Sequence, residues 1–435
     1  MMRLLLKGGR IIDPSQNMDA TMDLLIEKGT VSRIATTIPE RKGEKTAVID
    51  LTGMILTPGL IDMHTHLREP GHEYKETVQT GSEAAVAGGF TSIACMANTE
   101  PINDNRSVTE FILRQAQAAG MARVYPVAAV SKGEEGKFLT EFADLKDAGA
   151  VALSDDGNPV MDSRLMRNAL EYASSLGIPI ISHCEDTNLS AGGQMNEGYT
   201  STELGLQGIP NTAEHIMIAR DIALAEFSNV SVHIAHISTA ESVRIIREAK
   251  KRGVMVTAET APHYFTLTDE ALKEFSTNYK MYPPLRKNED VEAIKEGLKD
   301  GTIDAIASDH APHSLIEKDV EFEYAANGII GLETSLSASL ILVKENVLSL
   351  SQLIEKMSTN PSGILKIPGG TLKAGSNADI TVIDLQKKWI VKADTFRSKS
   401  RNTPFEGRKF RGRAVLTIVG GNVKYSILSL PGRKI

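Results

Sequence analysis

Between about Thr57 and Leu365 the chain alternates eight short apolar runs with amphipathic stretches, and this alternation restricts the fold more than any other feature. The runs are Leu56-Asp62, Thr91-Met96, Val124-Ala128, Ala150-Leu153, Pro179-His183, Val230-His236, Val254-Glu259 and Ile303-Ser308. Short and rich in branched residues, they read as buried strands. Ser107-Ala119, Ser163-Leu176, Ala240-Arg252 and Val291-Lys299 carry helical patterning between them. Strands joined through helices run parallel, and eight such units close a (β/α)8 barrel of the α/β class. The two ends differ. Met2-Leu6, Gly8-Gly9 and Arg10-Ile12 read as a hairpin, and Ala414-Val419, Gly420-Gly421 and Asn422-Tyr425 repeat the pattern. The expected organisation is a small composite β-sandwich domain from residues 1–55 and 368–435, flanking a barrel over 56–367.

The 435 residues suffice for such a barrel and a smaller unit. A net charge of −7 without a long Lys/Arg block argues against a nucleic-acid surface. Cys95 and Cys184 form neither a CxxC pair nor a disulfide framework, so a reducing cytoplasm is expected. Leu4-Leu5-Leu6 is too short for a signal sequence, and no apolar run reaches membrane-spanning length.

Barrel active sites lie at the C-terminal strand ends. Here strand 1 runs into Asp62-Met63-His64-Thr65-His66-Leu67-Arg68, where period-two alternation points Asp62, His64 and His66 the same way. Strand 4 runs into Ser154-Asp155-Asp156-Gly157, strand 5 into Ser182-His183, strand 6 into His236 and strand 8 into Ser308-Asp309-His310. Alternation directs His233 outward among the helices and leaves His310 on the face opposite Asp309. Four histidines and two carboxylates on one rim suit one zinc ion or two. His64, His66 and Asp309 make one set and His183 with His236 a second, with Asp156 between them. Such a centre activates water, and Asp309 beside it can move a proton to a leaving nitrogen, which is hydrolytic chemistry on an amide or ureide.

The segment from Asp62 through Arg68 to Glu69-Pro70-Gly71 resembles the signature of dihydroorotases, within the amidohydrolase superfamily. Matching segments follow in order at Met96-Ala97-Asn98-Thr99, Ser154-Asp155-Asp156-Gly157, Ser182-His183-Cys184-Glu185-Asp186, His233-Ile234-Ala235-His236-Ile237-Ser238, Glu259-Thr260-Ala261-Pro262-His263 and Ser308-Asp309-His310-Ala311-Pro312-His313. The resemblance implies a zinc-dependent barrel that interconverts N-carbamoyl-L-aspartate and L-dihydroorotate in pyrimidine synthesis. It implies that His64, His66 and Asp309 hold the first zinc, and His183 and His236 the second. Relatives acting on hydantoins and allantoin bridge their metals with a carboxylated lysine at the end of strand 4. Ala148-Gly149-Ala150-Val151-Ala152-Leu153 has none, so Asp156 is the expected bridge, with Asp155 the alternative.

The resemblance further implies that His66, Arg68, Asn98, Tyr282, His313, Asn327 and Gly328 contact the substrate, with Arg68 gripping a carboxylate bidentately. Tyr282 stands where the family commonly has Asn, and Asn327 where an aromatic is frequent. An allantoinase or hydantoinase is the rival enzyme, and a silent scaffold for aspartate carbamoyltransferase is the rival of another class. Five intact ligand positions weigh against the scaffold. A homo-oligomer (a dimer) is the expected assembly, with room for association with the carbamoyltransferase.

Overall fold

A computed structural model describes residues 3–40 and 46–429. The strands in chain order are β1 (Arg3–Asp13), β2 (Met18–Glu27), β3 (Thr30–Ala35), β4 (Thr46–Asp50), β5 (Ile55–Pro58), β6 (Leu60–Thr65), β7 (Phe90–Cys95), β8 (Arg123–Ala128), β9 (Ala152–Leu153), β10 (Ile181–Ser182), β11 (Met195–Asn196), β12 (Gly208–Ile209), β13 (Val232–Ile234), β14 (Val256–Thr260), β15 (Ala305–Ile306), β16 (Ile380–Ile390), β17 (Lys409–Val419) and β18 (Asn422–Ser426).

Two four-stranded parallel sheets, β6-β7-β8-β9 and β10-β13-β14-β15, form the barrel wall. Single bridges, Leu153 to Ile180 and Thr65 to His310, join them on either side and close the ring. Alternation sorts the side chains. Ile61, Met63, Ala94, Met96, Val127, Ala152, Ile181, Ala235, Ala305 and Ala307 meet in the lumen. Leu60, Ile93, Leu153, Val232, Ile234 and Ile306 pack outward with helix residues such as Ile112, Leu170 and Ile218. The helices between strands start and stop on local chemistry. In the helix Ser163–Leu176, the Asp162 carboxylate accepts the Arg164 and Leu165 N–H groups, and Gly177 terminates it in the left-handed region.

The chain ends share one eight-stranded sheet, ordered β18-β17-β16-β5-β1-β2-β3 with β4 branching from β1. The seam between the ends is β5 against β16, where Leu56 pairs with Val382. Leu4, Leu6, Ile11, Leu24, Leu56, Ile380, Val382 and Leu416 form a separate core beneath it.

Two expectations fail here. The run Leu56-Asp62 is two strands rather than one, since β5 pairs in the terminal sheet and β6 opens the barrel. Gly59 separates them at a crowded point, where a Cβ would lie 2.0 Å from Thr91 Oγ1. The hairpin expected at Gly8-Gly9 is a bulge. Leu6 pairs with Leu24 and Gly9 with Met22, so β1 spends one extra residue and continues along β2. Gly8 N–H is satisfied by Asp23 Oδ1 at 2.9 Å, which removes the need to turn. Met2 lies outside the described residues. The C-terminal repeat is a true hairpin, β17 antiparallel to β18.

Candidate metal centre

Just past five strand ends the backbone stops following strand geometry. Arg68, His236 and Asp309 have φ of 65°, 29° and 48°, in the left-handed region that non-glycine residues seldom adopt. These turns re-aim side chains toward the barrel mouth.

Asp156, following β9, occupies the middle. Its carboxylate oxygens lie 3.4 Å from His64 Nε2, 3.4 Å from His66 Nε2, 3.6 Å from His183 Nδ1 and 3.3 Å from His236 Nε2. Asp309 Oδ1 lies 3.3 Å from His66 Nε2 and 3.7 Å from His64 Nε2. His183 Nδ1 and His236 Nε2 face each other at 2.8 Å. Two groups therefore share Asp156: His64 with His66, and His183 with His236. All six side chains are buried. Asp155 turns away, accepting the Val130 and Ser131 N–H groups at 2.7 and 3.0 Å. Burial opposes the charge on Asp156, but the surrounding imidazoles, His64 first, hold its carboxyl well below the usual range.

Three of the four histidines are gripped from behind. His64 Nδ1–H donates to Glu259 Oε1 at 2.6 Å, His66 Nδ1–H to Asn98 Oδ1 at 2.9 Å, and His183 Nε2–H to Glu185 Oε2 at 3.0 Å. Glu185 is also bonded to Tyr282, so this phenol reaches the centre through a carboxylate. Burial raises the Tyr282 hydroxyl to about 12, keeping it a donor.

Beside the cluster, buried Arg68 donates from Nε to Pro312 O at 3.2 Å and sets Nη2 3.4 Å from His313 Nε2. His313 Nε2–H donates to Asn327 O at 2.8 Å. Burial and the Arg68 charge hold this imidazole neutral. Gly328 is held at both ends, its N–H by Lys280 O at 3.0 Å and its carbonyl by Lys318 Nζ at 3.1 Å and Asn402 Nδ2 at 3.0 Å. At its φ of 134° a Cβ would lie 2.7 Å from Ala311 Cβ, so only glycine fits.

Two orientation expectations are corrected. Asp62 does not share a face with His64 and His66. β6 shifts register after Asp62, whose carboxylate instead accepts Ser308 N–H at 3.1 Å from the neighbouring segment after β15. His233 faces the lumen, not the helices, because its neighbours Val232 and Ile234 are the outward pair. It bonds Thr257 Oγ1 at 2.8 Å, and its Nε2 lies 3.5 Å from Glu259 Oε2. The extrapolation from His236 fails because that residue has left the strand. Glu259, Glu185 and Lys318 escaped the sequence reading. Glu259 carried a signal as the acid ending a largely apolar strand and Glu185 as part of the Ser182-His183-Cys184-Glu185-Asp186 segment, whereas Lys318 carried none.

Residues 53–242 match the Dihydro-orotase-like family model, and residues 204–425 match the Amidohydrolase family model. A dihydroorotase from Syntrophus aciditrophicus is 62% identical, over 98% of this chain and 99% of that protein. One from Geobacter metallireducens is 58% identical over 98% and 100%. Among solved structures, an L-hydantoinase from Arthrobacter aurescens superposes with a TM-score of 0.87 at 26% identity, covering 99% of this chain and 97% of that one. A dihydropyrimidinase from Brevibacillus agri, at 24% identity with a TM-score of 0.81 over 98% and 96%, shares the fold. With identity of this depth over nearly its full length, and an acid cluster lacking a strand-4 lysine, the chain belongs to the dihydroorotase family of amidohydrolases.

Proposed function

We propose that the protein is a metal-dependent dihydroorotase that interconverts N-carbamoyl-L-aspartate and L-dihydroorotate in pyrimidine synthesis. The observation that carries this reading is Asp156 within 3.3–3.6 Å of four imidazoles, with Arg68 buried on the same rim. The residues fit divalent ions. His64 Nε2 is buried without a hydrogen-bond partner, and the facing nitrogens of His183 and His236 cannot both carry protons. His64, His66 and Asp309 would hold one zinc ion and His183 with His236 a second, Asp156 serving both. Bound there, the ions supply activation of water near neutral pH and polarisation of a carbonyl.

The protein's side chains supply the rest. Asp309 takes a proton from the attacking water and delivers it to the ureide nitrogen that leaves as the ring opens; closure reverses the transfer. Burial opposes ionisation of Asp309, but the His66 contact and the charge of His64 keep its carboxyl below the ordinary range and ready to accept. Arg68 pairs with a substrate carboxylate. Burial lowers its guanidinium only to about 10, so it remains a cation at neutral pH. Asn98, with Oδ1 committed to His66, offers its amide N–H groups. Tyr282, His313, Asn327 and Gly328 would contact the rest of the substrate.

The test is metal analysis of purified protein alongside assays in both directions. We expect zinc and turnover of both substrates, with the balance moving toward dihydroorotate as pH falls, because closure consumes a proton. Turnover of hydantoin or allantoin with none of dihydroorotate would overturn the assignment. We further propose a cytoplasmic homodimer, open to association with aspartate carbamoyltransferase, to be checked by sedimentation with and without that enzyme.

A further inference from the structure

A second cleft, of about 740 Å³, lies between the helix Leu332–Lys344 and the strands β16 to β18. Its walls gather Lys392, Arg397, Arg413 and Lys424. None of these four cations forms an ion pair among the described residues. The cleft therefore gathers four cationic side chains whose charge no carboxylate among the described residues neutralises within 4 Å. The one acid in the wall is Glu333. Its Oε1 is taken by Arg397 N–H at 2.6 Å and Ser398 N–H at 3.2 Å, and burial raises its carboxyl to about 7 against the pull of the Arg413 and Arg397 charges, so a single acid faces four cations.

The cleft also has a pre-set aromatic side. Trp389 Nε1–H donates to Ser337 Oγ at 3.2 Å, and Ser337 donates to Gly412 O at 2.7 Å, which fixes the indole. The Arg413 guanidinium sits 4.6 Å over the Trp389 ring and donates to the Tyr425 hydroxyl at 3.2 Å. Unpaired cations hold phosphates, whereas an oriented aromatic and guanidinium surface stacks flat rings. The volume is that of a small-molecule site. We propose that this cleft binds a nucleotide, its phosphate among Lys392, Arg397 and Lys424 and its base against Trp389, Arg413 and Tyr425. This goes beyond the dihydroorotase reading and uses none of that site's residues.

Trp389 is the chain's only tryptophan, so its emission reports this cleft alone. Titrating the metal-loaded enzyme with UMP or AMP is expected to change that emission saturably, with Kd of roughly 10 μM to 1 mM. Uridine and inorganic phosphate, each lacking half of the recognised chemistry, are expected to bind at least about tenfold more weakly. An Arg397→Ala/Lys424→Ala double variant is expected to lose about tenfold in nucleotide affinity with dihydroorotate turnover unchanged. Absence of a saturable response up to about 10 mM nucleotide would overturn the proposal. So would phosphate binding as tightly as UMP, or full affinity in the double variant. An emission change that follows protein concentration instead of nucleotide would assign the cleft to a second copy of the chain and equally overturn it.

Discussion

Glu259 decides which nitrogen of His64 faces Asp156. By accepting the Nδ1 proton at 2.6 Å it leaves the Nε2 lone pair toward the cluster. Burial opposes its charge, yet His64 and His233 hold its carboxyl down to about 2. Glu259→Gln keeps the shape and removes the charge. It is expected to weaken metal binding by about 10- to 100-fold, read by competition with a chromophoric chelator, with kcat recovering in excess zinc. Unaltered affinity would separate Glu259 from the centre. Asp309→Asn, assayed in excess zinc, is expected to lower kcat by about 10²–10⁴; near-normal kcat would remove it from proton transfer. At this scale the residue types at the strand ends were legible, because so many histidines and acids at those positions have few other uses. Their orientations were not. Alternation holds only while the chain is a strand, and it gives the wrong side for His233 and Asp62, where β13 ends early and β6 shifts register.

Two buried lysines without carboxylate partners shape the loops over the barrel mouth. Lys318 Nζ donates to Ala326 O at 2.7 Å, Gly328 O at 3.1 Å and Lys280 O at 3.2 Å, while Lys280 Nζ donates to Phe322 O and Glu323 O at 2.7 and 2.9 Å. The ammonium groups tie the loop carrying His313, Asn327 and Gly328 to the one carrying Tyr282. Lys318→Met removes three of these bonds at little cost in volume. It is expected to raise KM about tenfold while kcat changes less than about threefold, since the loop binds substrate and leaves the centre intact. An equal fall in kcat would place the loop in the chemistry. Burial lowers the Lys318 ammonium to about 7, below the 10.5 of an exposed lysine. Between those values the unfolded chain holds a proton that the fold does not, so this lysine makes stability rise with pH. Melting at pH 7 and pH 9 is expected to show that gain in the native protein and less of it in Lys318→Met. None of this was readable in advance. A lysine solvated by carbonyls looks in sequence like any surface lysine, whereas strands and helices announce themselves by period and by caps such as Asp162 and Gly177.

For the molecule as a whole, the candidate centre sits where the barrel is least continuous. Its two half-walls carry parallel ladders of consecutive paired residues, but each seam is crossed by an isolated bridge, Leu153 to Ile180 on one side and Thr65 to His310 on the other. The cluster draws on the strands flanking both seams, with Asp156 after β9 and His183 after β10 at the first, and His64, His66 and Asp309 from β6 and β15 at the second. Ions held there tie the half-walls together in the folded state only, so metal binding adds to the stability of the whole ring. Metal at a thousandfold excess over its Kd contributes about 4 kcal/mol. For a chain of 435 residues that is about 4 °C in Tm. Removing metal with a chelator is expected to lower Tm by about that amount, and adding zinc back to restore it, with Asp156→Asn showing a smaller difference. Hydrogen exchange locates the effect. The amides crossing the seams, Leu153 N–H to Pro179 O at 3.0 Å and His66 N–H to His310 O at 2.8 Å, are expected to lose protection first in the metal-free protein, ahead of ladder amides within β7 and β8. Uniform loss across the barrel would show that the ions stabilise without stitching the seams.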